Sequence, residues 1–441
     1  MVAPARYVAT RVLHRVAHDA AWAAPTLDAE LRRGSLSRAD AALATEIVYG
    51  TLRAATGLDA ELARHARRTV KVDDWTQAAL RGAAYQLLHL ERVPSHAIVH
   101  DTVELVRNQR GTRVAGFANA ILRKVAAGST GPPQPLSSIA APSWLRDALS
   151  ASIGPGHTED LLRLGRQPPS IDLRVRTDVD RDAVAQSIRS AQPDAVVSRT
   201  ALSPQGLRVS GGGDPRALPG YAEGAFAVQE EGAQLIGSLL GARPSERVLD
   251  VCAGRGGKTA QLIEAVSESG RVVATDLHPH RLEQIAGELR RLRLNPERLD
   301  TACVDWTVGS GAVTGEFDRV LVDAPCSGLG TLRRRPEILL RAQPEDAARM
   351  GESQRRILHN AASLVRPGGT LLYAVCSPLR DEGLGVVENA DLPGFRLLAG
   401  DCAHLKSWSF ESDGSLALGP WVRGAGPWSD AYQIYMWVYV G

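Results

Sequence analysis

The chain is short of the residues from which several common functions are built. Only 5 of its 441 residues are cysteine, and no two of them form a Cys-x-x-Cys pair. That spacing suggests neither a disulfide framework nor a zinc site, and no metal is expected. No apolar run approaches the ~20 residues that span a bilayer. The opening "MVAPARYVATRVLHRVAHDA" is helix-like and lacks the apolar stretch of a signal peptide. A cytoplasmic protein without a membrane partner is therefore expected. Internal repeats are missing as well.

What is present is ordinary for a globular protein: 44% hydrophobic and 23% charged residues. The length leaves room for two to four domains. The formal net charge is only +2, but it is unevenly spread. Residues 1–130 hold 18 Lys and Arg against 12 Asp and Glu, so the remainder is net acidic. A basic N-terminal part beside a near-neutral remainder hints at a polyanionic partner.

Residues 1–127 read as all helix, because apolar residues recur at three- and four-residue spacing in "RYVATRVLHRVAHD", "ADAALATEIVYGTLRAATGLDAELARHA" and "DDWTQAALRGAAYQLLHL". Pro94 and Ser95 make a turn and a cap. "GSTGPPQPLSSIAAP", 128–142, has linker composition. Residues 143–240 are mixed, with the strand-like "SIDLRVR" and the helix-like "DRDAVAQSIRSA", and form a small α+β region. From 241 to 441 strands alternate with helices: "RVLDV", "RVVATD", "LDTACVD", "DRVLVDAP" and "TLLYAVCS" are separated by helical patterns. Such alternation predicts a Rossmann-like, doubly wound α/β sheet.

In such sheets ligands sit beyond the carboxyl ends of the strands. Those ends here carry Cys252–Lys258, Asp276, Asp305, Asp323–Cys326 and Cys376–Ser377. The loop "CAGRGGKT" has Cys252 where a triphosphate loop needs glycine, and Thr259 where a dinucleotide loop needs one. A glycine turn remains, with helix N–H groups for a carboxylate. Asp276 follows one β-α-β step later, where an acidic side chain accepts hydrogen bonds from ribose hydroxyls. Ribose and carboxylate without a phosphate site suggest S-adenosylmethionine. The two strand-end cysteines suit covalent activation of cytosine. A thiolate adds at carbon 6, carbon 5 becomes nucleophilic, and a carboxylic acid near N3 shares a proton. A base then removes the carbon-5 proton so that the thiol can leave. Spacing leaves open which cysteine attacks.

The segments "VLDVCAGRGGKT", "ATDLHPHRL", "VDAPCSGLGTLRRRPEI" and "LLYAVCS" together resemble the RsmB/Sun group of ribosomal RNA cytosine-5 methyltransferases within the NOP2/Sun superfamily. "TEIVYGTLR" and "GFANAILRKV" resemble its NusB-like RNA-binding domain, so the likeness covers nearly the whole chain. The resemblance implies that Cys252, Ala253, Gly254, Arg255, Gly256, Gly257 and Lys258 wrap S-adenosylmethionine, with Asp276 at the ribose and Asp305 by the adenine. Asp323 would serve the donor pocket and the target ring. Cys376 would be the nucleophile, and Cys326 would help release the product. Gly254 and Arg255 stand where the family has Ala-Pro, and Val375 where threonine is usual. The final strand lacks the family's usual Asp-Gly-Phe-Phe.

The resulting expectation is a methyltransferase that forms 5-methylcytosine in small-subunit (16S) ribosomal RNA. The alternatives are a catalytically silent RNA-binding or assembly factor, and a cytosine-5 methyltransferase of tRNA or DNA. Arg333, Arg334 and Arg335 are candidate grips on RNA phosphates, against the plainer reading of a solvated basic turn. Cys303, Cys402, His96 and His100 are read as structural, and "YQIYMWVYV" as an edge or core strand.

Overall fold

A computed structural model describes residues 3–34, 36–66, 72–128, 139, 141–398, 415–419 and 429–441. Cys402 and most of the expected linker, 128–142, lie outside the described residues. Two compact units emerge, and the chain passes between them repeatedly. One comprises Met1–Asp147, Leu162–Pro168 and Leu332–Ala342; the other comprises Ala148–Leu161, Pro169–Thr331 and Gln343–Gly441.

The first unit is helical, with α1 (Pro4–His18), α2 (Ala23–Arg33), α3 (Arg38–His65), α4 (Asp74–His89) and α5 (Ser95–Gly128). The starts follow local chemistry. Ser37 accepts the Asp40 N–H and Asp73 accepts those of Trp75 and Thr76, so the first turns of α3 and α4 have their orphan donors satisfied. Helix α5 breaks at Gly111, whose φ of 81° leaves the helical region. Leu58, Leu80, Ile98 and Leu122 build one core, and Val12, Ile47, Val48 and Leu52 a second.

Helix α2 has no side-chain cap of its own. Its first amide, that of Ala23, donates instead to Glu337 Oε1 at 2.9 Å. Glu337 lies in a short 3₁₀ turn, Pro336–Leu340, far along the chain. Leu332, Ile338 and Leu339 of that segment are buried, and Leu340 packs on the core of α1 to α3. The Arg341 guanidinium lies 5.1 Å from the Trp22 ring. The stretch expected inside a 241–441 catalytic domain thus completes the helical unit, because its apolar residues and one buried carboxylate find their partners there.

Next come α6 (Ser143–Gly165), β1 (Ile171–Val175), α7 (Arg181–Ala191), β2 (Val196–Arg199), β3 (Gly206–Ser210), β4 (Phe226–Val228) and α8 (Glu231–Leu239). The four strands form an antiparallel sheet in the order β2-β3-β1-β4. Leu173, Ile188, Leu207, Val209 and Phe226 are its core. Arg174, fully buried, pairs with Glu264 and donates to Gln229 at 2.9 Å.

The larger sheet follows: β5 (Arg247–Asp250), α9 (Gly257–Val266), β6 (Arg271–Asp276), α10 (Pro279–Arg291), β7 (Leu299–Cys303), β8 (Phe317–Asp323), α11 (Asp346–Ala362), β9 (Val365–Val375), α12 (Leu384–Glu388), β10 (Phe395–Leu397), β11 (Leu416–Leu418) and β12 (Tyr432–Tyr439). Its order is β10-β12-β9-β8-β5-β6-β7, with β11 also on β12. The five strands from β9 to β7 are parallel, as expected. The final strand β12 is antiparallel to β9, with five of its eight residues buried, so the sheet is mixed. From β5 the chain winds first through β6 and β7, then returns to β8 and β9. The winding reverses between β5 and β8, the switch point at which doubly wound sheets bind ligands. Helices cover both faces, so the strands are apolar on both sides.

Candidate active site

The site grows from the ends of β5, β6, β8 and β9. After Asp250 the chain turns into α9 through Gly256, whose φ of 83° is left-handed. A Cβ there would lie 2.7 Å from Ile285 Cγ2, so backbone and space both demand glycine. The loop is tied across the sheet: the Ala253 amide donates to the Thr275 carbonyl at 2.8 Å, and the Gly254 amide to Asp276 Oδ2 at 3.0 Å. Asp276 also accepts the His278 amide at 2.9 Å. The Arg281 guanidinium also reaches both carboxylate oxygens at 3.4 Å, so each oxygen has one amide donor and one long guanidinium contact. Gly254 has open space where a side chain would stand.

Beneath the loop, Asp250 is 1% exposed. Its Oδ2 accepts the Thr259 hydroxyl at 2.7 Å, and its Oδ1 has no partner. Burial pushes its carboxyl up to about 7. Lys258, on the first turn of α9, places Nζ 2.5 Å from Asp323 Oδ2. Burial alone would pull this ammonium down, but Asp323, with Asp250 and Cys376 behind it, holds it above the ordinary lysine value. Lys258 thereby fixes the β8 carboxylate.

The two strand-end cysteines meet. Cys326 Sγ lies 3.2 Å from Cys376 Sγ. The hydrogen bond between them and burial push the Cys326 thiol well above the ordinary cysteine value, which keeps it protonated at neutral pH. The β8 and β9 ends are locked together. The Ala324 amide donates to the Ala374 carbonyl at 2.9 Å, and the Gly330 amide to the Cys376 carbonyl at 2.9 Å. A Cβ on Gly330 would lie 2.0 Å from the Ala431 carbonyl oxygen, so this crossing tolerates no side chain.

Other expected residues fall further out. Cys252 packs against the core, and burial pushes its thiol up. Arg255 and Gly257 are exposed. Asp305 is exposed too; it accepts the Thr307 hydroxyl at 2.6 Å and the Thr307 amide at 3.0 Å, which hold its carboxyl below the usual aspartate range. The three arginines of "RRRP" belong to the helical unit. Arg333 is 7% exposed, and its carbonyl accepts from Arg53 at 3.2 Å, so it is closed to a phosphate as it stands. Arg334 is half-buried, and exposed Arg335 lies 5.3 Å over Trp22. His96 and His100 line a cleft in the helical unit with Arg107 and Arg123. Among the described residues no group of three or more His, Cys, Asp or Glu could hold a metal ion, and no helix is long and apolar enough to cross a membrane.

Sequence reasoning missed Glu382. It is fully buried six residues beyond Cys376 and accepts the Ser327 amide at 2.6 Å, the Ser327 hydroxyl at 2.5 Å and the Ser377 hydroxyl. Burial pushes its carboxyl up, against these donors. The one local signal is a carboxylate within a turn-forming stretch, "CSPLRDEG".

Comparison with known proteins agrees with this geometry. The family described as 16S rRNA methyltransferase RsmB/F matches residues 238–393, and the NusB family matches residues 3–127. A putative methyltransferase of Mycobacterium tuberculosis strain H37Rv is 37% identical over 88% of this chain and 86% of its own. The ribosomal RNA small subunit methyltransferase B of Pseudomonas putida is 34% identical over 89% and 90%, and the probable enzyme of that name from Bacillus subtilis 31% over 87% of each. Among solved structures, PH0851 superposes with a TM-score of 0.83 over 99% of both chains at 22% identity. NSun6 from Pyrococcus horikoshii with SFG has a TM-score of 0.58 at 15% identity, over 68% of this chain and 98% of that one. With its cysteine pair at the switch-point edge and relatives alike along nearly their whole length, the chain belongs to the RsmB/F family of 16S rRNA methyltransferases, carrying a NusB-family domain at its N-terminus.

Proposed function

We propose that the chain methylates carbon 5 of a cytosine in small-subunit ribosomal RNA, using S-adenosylmethionine and a transient bond from Cys376 to carbon 6. The observation that carries this reading is the 3.2 Å approach of Cys326 and Cys376 at adjacent strand ends, beside the Lys258–Asp323 pair. An ordinary methyltransferase of exocyclic nitrogen or oxygen has no use for two juxtaposed thiols. The names of the relatives support the ribosomal substrate, and SFG, an S-adenosylmethionine analogue, accompanies a protein of like fold.

The residues present fit such a donor. Asp276 would accept ribose hydroxyls in place of its long 3.4 Å contacts to Arg281, Gly254 leaves the backbone open, and the N-terminus of α9 offers N–H groups to a carboxylate. S-Adenosylmethionine supplies an electrophilic methyl on a sulfonium. The chain supplies the rest. Cys376 gives its proton to solvent and attacks as the thiolate, with the Lys258 ammonium within electrostatic reach. That thiolate adds to carbon 6 as N3 takes a proton from the Lys258–Asp323 pair, and the ring electrons shift to carbon 5. After methylation, Cys326 takes the carbon-5 proton, the carbon–sulfur bond breaks and Cys376 departs as thiolate. Cys326, protonated at rest, first gives its proton to solvent, and N3 returns its proton to the Lys258–Asp323 pair as the thiolate leaves. The target base must be unpaired or flipped out. The helical unit and the small sheet hold surrounding RNA through phosphates, so affinity falls as salt rises. Arg334 and Arg335 remain candidates for that grip.

The test is a covalent trap. Cys326→Ala protein is mixed with S-adenosylmethionine and small-subunit rRNA, and the products are run on a denaturing gel. An adduct that disappears in Cys326→Ala/Cys376→Ala is expected. Wild-type methylation of RNA without any adduct in Cys326→Ala would overturn the assigned cysteine roles. No methylation by wild type would favour a silent RNA-binding factor, and methylation of DNA or tRNA instead would move the substrate.

A further inference from the structure

Each of the two cysteines is followed immediately by a serine, and both serines bind the same buried carboxylate. Glu382 Oε2 accepts the hydroxyls of Ser327 and Ser377, and its Oε1 accepts the Ser327 amide at 2.6 Å. The two hydroxyls lie 3.2 Å apart. The junction is held from behind. Gln354 Nε2 donates to the Pro325 carbonyl at 2.8 Å and reaches Glu382 at 3.4 Å, and the Tyr373 hydroxyl donates to the Glu382 carbonyl at 2.6 Å. Gln433 Nε2 donates to the carbonyls of Ser377 and Leu379 at 2.8 and 2.9 Å.

We propose that Glu382 is a positioning residue: a buried carboxylate that staples the Cys326 and Cys376 loops through Ser327 and Ser377 and so sets the distance between the two thiols. It touches neither thiol, and its action runs through the serines. The energetic argument is direct. A buried carboxylate is costly unless its lone pairs are filled, and here the donors that fill them come from the residues next to the two reacting sulfurs. Charge-assisted bonds of this kind are short and roughly twice as strong as neutral ones. The loops they join otherwise meet through backbone bonds at β8 and β9, the contact of the two thiols and the contact of the two serine hydroxyls. Loss of the staple lets the thiols drift, and a displacement near 1 Å costs on the order of 100-fold in rate.

This inference rests on the covalent cytosine reading only for its rate consequence. The geometric claim is tested without RNA. Hydrogen peroxide oxidises two adjacent thiols to a disulfide, removing two hydrogens and two electrons while the peroxide becomes two waters. With intact wild-type protein, mass spectrometry should find the Cys326–Cys376 disulfide formed quickly and reversed by dithiothreitol. In Glu382→Ala its formation should slow about tenfold or more, kcat should fall by on the order of 100-fold, and KM for RNA should change little. S-Adenosylmethionine binding, read by calorimetry, should persist in both proteins. Glu382→Gln, which keeps shape and one acceptor, should recover part of both losses. Ser377→Ala and Ser327→Ala, which leave the carboxylate in place, should each give an intermediate effect. Disulfide formation at the wild-type rate in Glu382→Ala would overturn the proposal. So would loss of donor binding in that variant with no effect of the serine variants, since Glu382 would then support the fold generally. Failure of the cytosine reading alone would leave the oxidation result as expected.

Discussion

Asp250→Asn should make the protein less sensitive to rising pH. Asp250 is 1% exposed under the donor loop, and burial raises its carboxyl from the ordinary 3.8 to about 7. A carboxyl raised on folding is bound to its proton more tightly in the native state. Its stabilising contribution is complete below pH 3.8 and is lost progressively as pH rises through 7. At about 1.4 kcal/mol per unit, the span of roughly three units amounts to about 4 kcal/mol, of which about 2 falls between pH 5 and 7. Asparagine does not ionise, and its carbonyl can keep the Thr259 hydroxyl. It pays a fixed cost for burying an amide, but that cost does not vary with pH. The Tm difference, variant minus wild type, should therefore grow by roughly 5 °C between pH 5 and 7 and level off above. Differential scanning calorimetry at half-unit steps reads it. Parallel Tm curves for the two proteins would show that Asp250 ionises as freely in the fold as in the unfolded chain, and the burial argument would fail.

Gly256→Ala adds a methyl at a left-handed turn 2.7 Å from Ile285; calorimetric affinity for S-adenosylmethionine should drop by at least about tenfold, from a strain of about 1–3 kcal/mol. Gly330→Ala drives a carbon against the Ala431 carbonyl where β8 leaves the site. It should destabilise by about 1–3 kcal/mol in urea melts and depress kcat through the Cys376 backbone more than it alters donor binding. Arg174→Met leaves Glu264 without its buried partner; a loss of about 3–5 kcal/mol is expected in the same melts.

Much of the site was legible because its markers are local. Apolar runs ending in Gly, Asp, Pro or Cys identify β5, β6, β8 and β9, and winding such strands into one sheet necessarily gathers their ends. That is why Lys258 and Asp323, 65 residues apart, could be placed in one site before their 2.5 Å contact was seen. The raised Cys326 thiol was not legible, because it depends on the partner thiol and on burial. Glu382 was hidden for a similar reason: nothing in "LRDEG" says that a carboxylate there is enclosed. The antiparallel insertion of β12 was unreadable from a run of apolar residues that fits edge and core alike. The short strands "VVSR" and "FAV" carry too few residues for a period to show. Asp305 sits where the pattern points, yet its own turn to Thr307 occupies one of its oxygens.

The segment Leu332–Ala342 has a consequence in time. The helical unit begins at the N-terminus, so a ribosome completes residues up to 147 early. Its Ala23 amide and the apolar faces of α1 to α3 then wait for Glu337 and Leu340. At about 5–20 residues per second that wait is roughly 10–40 s, long compared with the folding of a small helical domain. During it the first-made part of the protein is a helical assembly lacking one cap and part of its core. The chain settles its first unit only after Ala342 has been made.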